Sequence, residues 1–381
     1  MIIYSLGSNQ GGMLRVVESL SQVFDHLPDD FPLRIFVFAK EMPPGLNDKR
    51  FVWMPLDFNS QMKWEVVLAE LKQRIKEYLG DTQVSWVMGD FMTLSFFEDI
   101  ETKIAYDVHF LGRPFYKALA ESKNAISLDQ FHRNNFVLGL HLNHFPFLRK
   151  EFELMKKASC FIANSKSSEN HLRANYRDVT AGKEINYIPV SSQLDNEITE
   201  IEKNKKATRV LYFHGRFHPQ KGIHFLFSQD WNDLPLTIRG FEDALLTPDR
   251  VLWLKEKGIS AVPWTSQSSV IRDELMDHQA VLFPSIYEPW GLSLQEALAL
   301  GRICIAHPCQ GGHEEQIVDG ENGFLVDFSS PDLKKRIKEI INLPQAELSR
   351  ISNNAQSSSY LGHEERIKKL KDYFLWLRIN A

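Results

Sequence analysis

Along nearly the whole chain, short apolar strand-like runs alternate with amphipathic helical ones, and the alternation occurs in two blocks. Such a rhythm predicts parallel sheets covered by helices. In the first block the strand candidates are Ile2 to Tyr4, Leu33 to Phe38, Phe51 to Met54, Val84 to Met88, Lys103 to Tyr106, Cys160 to Ala163 and Ile185 to Ile188. Helices such as Met13 to Phe24, Trp64 to Leu79 and Ser167 to Tyr176 lie between them. From Ser191 to Ala207 the pattern collapses into a polar, charged stretch that reads as a linker. The second block has strands Arg209 to Phe213, Leu236 to Gly240, Ala280 to Phe283, Arg302 to Ala306 and Phe324 to Val326. Its helices start at Lys221 and span Asp249 to Lys257, Ser268 to Asp277, Leu292 to Leu300 and Asp332 to Ile341. The expectation is α/β: a Rossmann-like domain over residues 1–190, a linker over 191–207, and a second Rossmann-like domain over 208–360 facing the first across a cleft.

At 381 residues, two domains are the default. Hydrophobic content of 43%, charged content of 24% and a net charge of -5 describe an ordinary globular chain with no global attraction for nucleic acid. The N-terminus lacks the features of a secretory signal, and no run approaches the roughly 18 apolar residues of a membrane span. Three cysteines, Cys160, Cys304 and Cys309, point to a reducing compartment and to a cytoplasmic location. Cys304, His307, Cys309 and His313 do not have the spacing of a zinc site, so no metal is expected. The last helix, about His363 to Arg378, places Ile367, Leu370, Phe374 and Leu377 on one face, with lysines elsewhere. Packing on the first domain is the expectation, and peripheral contact with the cytoplasmic face of a membrane is the alternative.

Chemistry concentrates in the second block. The stretch Phe283 to Gly301 places Glu288 in a loop behind a strand and Glu296 inside the following helix. A glycosidase needs its two carboxylates roughly 5 to 9.5 Å apart. Eight residues of helix separate these two by roughly 12 Å, so the glutamates have different tasks. Upstream, His214-Gly-Arg-Phe-His-Pro-Gln-Lys-Gly222 joins a strand to a helix. A glycine, two cations and a helix N-terminus make an anion site fit for a diphosphate; a structural turn with two solvated cations is the plainer reading. It is not a P-loop, since Lys221 precedes Gly222 and no hydroxyl follows for magnesium. In the first block, Gly7-Ser-Asn-Gln-Gly-Gly12 lacks dinucleotide-binding spacing and reads equally as a ligand-approaching turn or a plain one. Asp107-Val-His109 ends a strand at the sheet edge where such folds bind ligands.

Taken together, Gly215-Arg216-(x4)-Lys221-Gly222, Pro284-Ser285, Glu288-(x2)-Gly291-(x4)-Glu296-Ala297, Gly301, Gly311-Gly312, Glu315, Asp319-Gly320 and Gly323 resemble glycosyltransferase family 4, whose architecture is called GT-B. The first half matches through Gly11-Gly12, His109, Ala158 to Ser165 and Ile188-Pro189. The resemblance implies retaining, metal-independent transfer of a sugar from a nucleotide diphosphate sugar, a co-substrate and not a cofactor, to a hydroxyl acceptor (glycan, lipid or small molecule). Arg216 and Lys221 would hold the diphosphate, and Glu288 would contact the donor sugar. Glu296 would bind the ribose. Gly215 and the amides of Trp290, Gly291 and Leu292 would line the donor site, His109 would touch the sugar near the reacting carbon, and Gly12 would approach the phosphates. The acceptor hydroxyl would lose its proton to the departing phosphate, without a protein nucleophile. Departures are the run Val190 to Asp195 after Ile188-Pro189, Trp290 where Phe is common, and the segment Phe110 to Lys150, read as acceptor-binding or as a solvated insertion. A nucleotide-sugar epimerase of the same fold, or a binding protein without turnover, remains an alternative.

Overall fold

The computed structural model describes residues 1–7, 20, 22–40, 48–56, 64–109, 111–125, 145–190, 207–215, 218–241, 246–265, 267–359 and 362–381. They form two compact units. The first comprises Met1–Leu111, His144–Gln193 and Gly362–Ala381; the second comprises Gly112–Asn143 and Leu194–Leu361.

The first unit is built on a seven-stranded parallel sheet in the order β3-β2-β1-β4-β5-β6-β7. Its strands are β1 Ile2–Gly7, β2 Leu33–Ala39, β3 Phe51–Pro55, β4 Trp86–Gly89, β5 Lys103–Val108, β6 Cys160–Ala163 and β7 Glu184–Tyr187. Interior strands such as β4 and β6 are buried on both faces, which is why they read as continuous apolar runs. The edge strand β3 instead alternates, with Val52 and Met54 inward and Trp53 outward.

The final helix, Gly362–Ile379, belongs to this unit. Leu370, Tyr373, Phe374 and Leu377 are buried. Phe374 meets the Tyr4 ring edge-on at 6.3 Å, Trp376 lies 5.9 Å from Trp86, and the Tyr373 hydroxyl is 3.2 Å from the Cys160 sulfur. Lys103 Nζ donates to the Asn380 carbonyl at 2.6 Å. The helix is held by its apolar face and tied at its end.

The second unit carries a six-stranded parallel sheet in the order β10-β9-β8-β11-β12-β13. Its strands are β8 Arg209–His214, β9 Leu236–Phe241, β10 Ile259–Pro263, β11 His278–Phe283, β12 Ile303–Ala306 and β13 Phe324–Leu325. Its core joins Tyr212, Val281, Phe283, Leu294, Ala297, Leu298, Cys304 and Ala306, layering the helix Leu292–Ala299 onto the sheet. That helix stops at Leu300, and Gly301 follows with φ of 63°. A side chain at Gly301 would press on Ser352 of the helix Gln345–Ser359, whose hydroxyl donates to the Gly301 carbonyl at 2.6 Å.

Two features depart from the sequence reading. Strand β10 was not expected: Ile-Ser-Ala-Val-Pro buries little beyond Ile259, and a sheet edge tolerates Pro263. Residues 112–143, expected in the first domain, group with the second. Their described part is the helix Gly112–Ala125, in which the Phe115 ring lies 5.7 Å from that of His218. The alternation of strands and helices carries no mark of where contacts change domain. The linker 191–207 lies outside the described residues except Ala207.

Candidate functional site

Each sheet has the strand order of a doubly wound fold, in which ligands bind beyond the strand C-termini where the winding direction reverses. In the second domain that point lies between β8 and β11. The loops after β8, β11 and β12 therefore carry the candidate site.

These loops are interlocked through main chain and glycine. After β8, a 3-10 turn Pro219–Lys221, capped by the His218 ring accepting from the Gln220 amide at 3.2 Å, ends at Gly222 with φ of 62°. A side chain on Gly222 would run into the Pro284 carbonyl oxygen, so glycine is required for the turn to lie against the β11 loop. The helix that follows, Ile223–Phe227, starts only after this break, so Lys221 ends a tight turn instead of leading a continuous helix. Ile286 N donates to the Gln220 carbonyl at 2.9 Å, and Gly312 N to the Glu288 carbonyl at 2.7 Å. Gly311 and Gly312 admit the carbonyls of Glu288 and Trp290 into space a side chain would fill.

Lys221 Nζ pairs directly with Glu288 Oε2, with 17% and 10% of the side chains exposed. Ser285 Oγ lies 3.4 Å from the same carboxylate oxygen. Gly291, with φ of 94°, precedes the helix Leu292–Ala299, whose first amides have no intrahelical acceptor. The Trp290 indole donates to Gln295 Oε1 at 3.3 Å, and its carbonyl accepts from Gln316 Nε2 at 2.6 Å. Glu296 is buried within the helix. Glu314 closes the β12 loop: its carboxylate accepts the Gln310 amide at 2.6 Å and the Gly311 amide at 3.2 Å, holding Gln310 at φ of 51°. His313 is buried and donates Nδ1–H to the His307 carbonyl at 2.9 Å; burial lowers its pKa against the pull of the Glu288 charge. Lys221, Glu288 and the start of the helix that carries Glu296 thus lie on adjoining loops at the reversal point of this sheet.

In the first domain the reversal lies between β1 and β4. Asp107, near the end of β5, accepts the Tyr4 hydroxyl at 2.6 Å, and the same oxygen lies 3.0 Å from His109 Nε2. Burial opposes charge on both members of this pair. Their mutual attraction outweighs it, raising the His109 pKa and lowering that of Asp107. Asp90 caps the turn after β4, accepting from the Thr93 amide and hydroxyl at 2.9 Å each.

Comparison with known proteins bears on this geometry. Residues 195–358 match the family described as glycosyl transferases group 1. That match lies within the second unit. A stretch of 161 residues is 28% identical to the uncharacterized glycosyltransferase YqgM of Bacillus subtilis, spanning 40% of this chain and 44% of that protein. The chain therefore spans less than half the length of this curated relative. Sucrose-phosphate synthase from Thermosynechococcus elongatus superposes over the whole of both chains with a TM-score of 0.75 at 17% identity. Anabaena HepE, solved with UDP and glucose, does so over 100% of this chain and 99% of its own, with a TM-score of 0.64 at 16% identity. The fold is that of the GT-B glycosyltransferases, and the chain resembles family 4.

Within the second unit, the structure joins Lys221 to Glu288 and sets Gly215, Trp290, Gly291, Leu292 and Glu296 on the same loops and helix. His109 belongs to the first domain. Gly12 and Arg216 lie outside the described residues, as do 126–144 of the segment Phe110 to Lys150. Among the described residues no cluster of histidine, cysteine or acidic side chains is placed to hold a metal ion, and no helix is long and apolar enough to cross a membrane. Sequence reasoning assigned no role to Asp107, Ser285, Glu314 or Gln316. Asp107 was the most accessible of these, since residues two apart at a strand end share a face. Glu314 was signalled by its place three residues after Gly311 at a helix start.

Proposed function

We propose that the chain transfers a sugar from a nucleotide diphosphate sugar to a hydroxyl acceptor with retention of anomeric configuration. The observation that carries this reading is the Lys221 and Glu288 pair at the reversal point of the second sheet, beside the N-terminus of the helix Leu292–Ala299. A sugar leaving a diphosphate develops positive charge at its anomeric carbon and negative charge on phosphate oxygen. Fixed cations and amides at the phosphate stabilise that state more than the ground state.

In this reading Lys221, with Arg216, receives the diphosphate, and Glu288, released from Lys221, accepts hydroxyls of the donor sugar. Glu296 takes the ribose hydroxyls. The amides of Gly291 and Leu292 and the backbone at Gly215 and Trp290 line the donor, with Gly12 near the phosphates and His109 near the reacting carbon. The bond from anomeric carbon to phosphate oxygen breaks as the acceptor oxygen attacks on the leaving-group face, and the acceptor proton passes to the departing phosphate. Lys221 and Arg216 meet the leaving charge, so the reading invokes no metal. The UDP and UDP-glucose complexes of HepE make uridine donors the first to try.

Incubation with UDP-, GDP- and ADP-sugars and a broad acceptor panel tests the proposal through nucleotide release and NMR of the product. Retained configuration is expected. Inversion would overturn the mechanism, epimerised sugar without acceptor would identify an isomerase, and binding without nucleotide release would identify a binding protein.

A further inference from the structure

The two carbonyls that flank Pro289 are both held by the segment after β12. Glu288 O accepts from the Gly312 amide at 2.7 Å, and Trp290 O accepts from the Gln316 side-chain amide at 2.6 Å. Gln316 ends the short helix Gly312–Gln316, and its own carbonyl accepts from Asn322 Nδ2 at 2.8 Å. Asn322 is buried, takes the Val318 amide on Oδ1 at 2.8 Å, and donates to the Ser358 hydroxyl of the helix Gln345–Ser359 at 2.9 Å. One chain of hydrogen bonds thus runs from that helix to the Trp290 carbonyl.

Packing does not explain Gln316. Its Oε1 is buried and has no hydrogen-bond partner among the described residues, a cost that an apolar side chain of similar length would avoid. Turning the carboxamide over would set two oxygens against each other at Trp290, so its orientation is fixed. What the contact controls is the next peptide. A planar trans peptide directs its N–H opposite to its C=O, so pinning the Trp290 carbonyl aims the Gly291 amide away from Gln316. Glycine adopts φ of either sign, so the 94° at Gly291 is not imposed by the residue itself, and the reversed peptide is open to it as well. Among the described residues nothing accepts from the Gly291 amide.

Resting on the proposed place of that amide at the donor, we propose that Gln316 is a positioning residue which holds the Trp290–Gly291 peptide so that the Gly291 N–H faces the diphosphate. Asn322 and Ser358 anchor the end of the helix that carries Gln316. The amide is thereby oriented before the ligand arrives, and binding has no peptide flip to drive.

Trp290–Gly291 is the one Trp-Gly step in the sequence. Isotopic labelling of tryptophan carbonyls and glycine amides therefore gives a single carbonyl-to-amide NMR resonance for this peptide in the full chain. Gln316→Met, similar in length and unable to donate, is expected to move that resonance upfield in carbon and to split or broaden it as the peptide samples both orientations. UDP affinity is expected to fall about fivefold, the effect of one hydrogen bond, and kcat/KM for the donor to fall with it. Gln316→Glu keeps the shape. Ionised, it is expected to behave as Gln316→Met; on acidification its protonated carboxyl can donate, and the parent resonance is expected to return, which it does not in Gln316→Met. A parental resonance in both variants, or a displaced one with parental UDP affinity, would overturn the proposal. Failure of the parent chain to bind UDP, GDP or ADP would instead overturn the donor reading, while the resonance, which needs no ligand, would still decide whether Gln316 holds the peptide.

Discussion

Two carboxylates stand near strand C-termini in sheets of matching strand order, yet they are held in opposite ways. Glu288 lies on the loop after β11 and pairs with Lys221 from the loop after β8. Asp107 belongs to β5 itself and is held by Tyr4 and His109 with 6% of its side chain exposed. A loop-borne ion pair can exchange partners when a charged ligand arrives. A strand-borne carboxylate locked by two neighbours cannot, so its use is to orient one of them. Topology supplies the address, and the local attachment of the charge decides whether it binds or positions.

The sharpest attack on this contrast is Gly222→Ala. With φ of 62° and the Pro284 carbonyl in the way, it is expected to destabilise the second domain by about 3 kcal/mol, read as a lower denaturant midpoint. An unchanged midpoint would mean the loops carrying Lys221 and Glu288 are not interlocked. Next is Lys221→Ala, expected to lower turnover at least tenfold, about 1.4 kcal/mol of barrier. Because it leaves Glu288 buried without its cation, combining it with Glu288→Gln is expected to recover stability but not turnover. Activity within twofold of the parent would end the assignment of Lys221 to the diphosphate. Glu314→Ala, which frees the Gln310 and Gly311 amides, is expected to cost about 1 kcal/mol, seen as a small fall in melting temperature.

The smallest effect tests the other half of the comparison through pH. The His109 pKa is raised, so its pairing stabilises the fold fully below the ordinary histidine range and is lost as pH rises through the raised value. The Asp107 pKa is lowered, so its contribution is fully present above the ordinary carboxylate range and is lost as pH falls through the lowered value. Stability from this pair is therefore greatest between those limits. Asp107→Asn is expected to flatten both limbs in melting temperature against pH, and parental limbs in the variant would show that the pair does not govern them.

Much of this was legible in the chain. Interior strands such as Cys160 to Ala163 announce themselves because burial on both faces demands apolar residues throughout. The edge strand Ile259–Pro263 escaped notice because one buried residue leaves too faint a pattern. Glu288 and Lys221 were identifiable separately, 67 residues apart in sequence, while their direct pairing was not. It depends on β8 and β11 becoming neighbours in the sheet.

The sequence by itself determined the two-block α/β design, the glycine positions and the residue types available at the strand ends, because these follow from local periodicity and short motifs. Tertiary structure alone decided which charges meet. Arg366 is unremarkable in a helix rich in lysine and glutamate, and only the docking of that helix beside β1 brings its guanidinium to the Pro189 carbonyl. Burial and proximity between residues far apart in the chain set those interactions, and no local pattern encodes them.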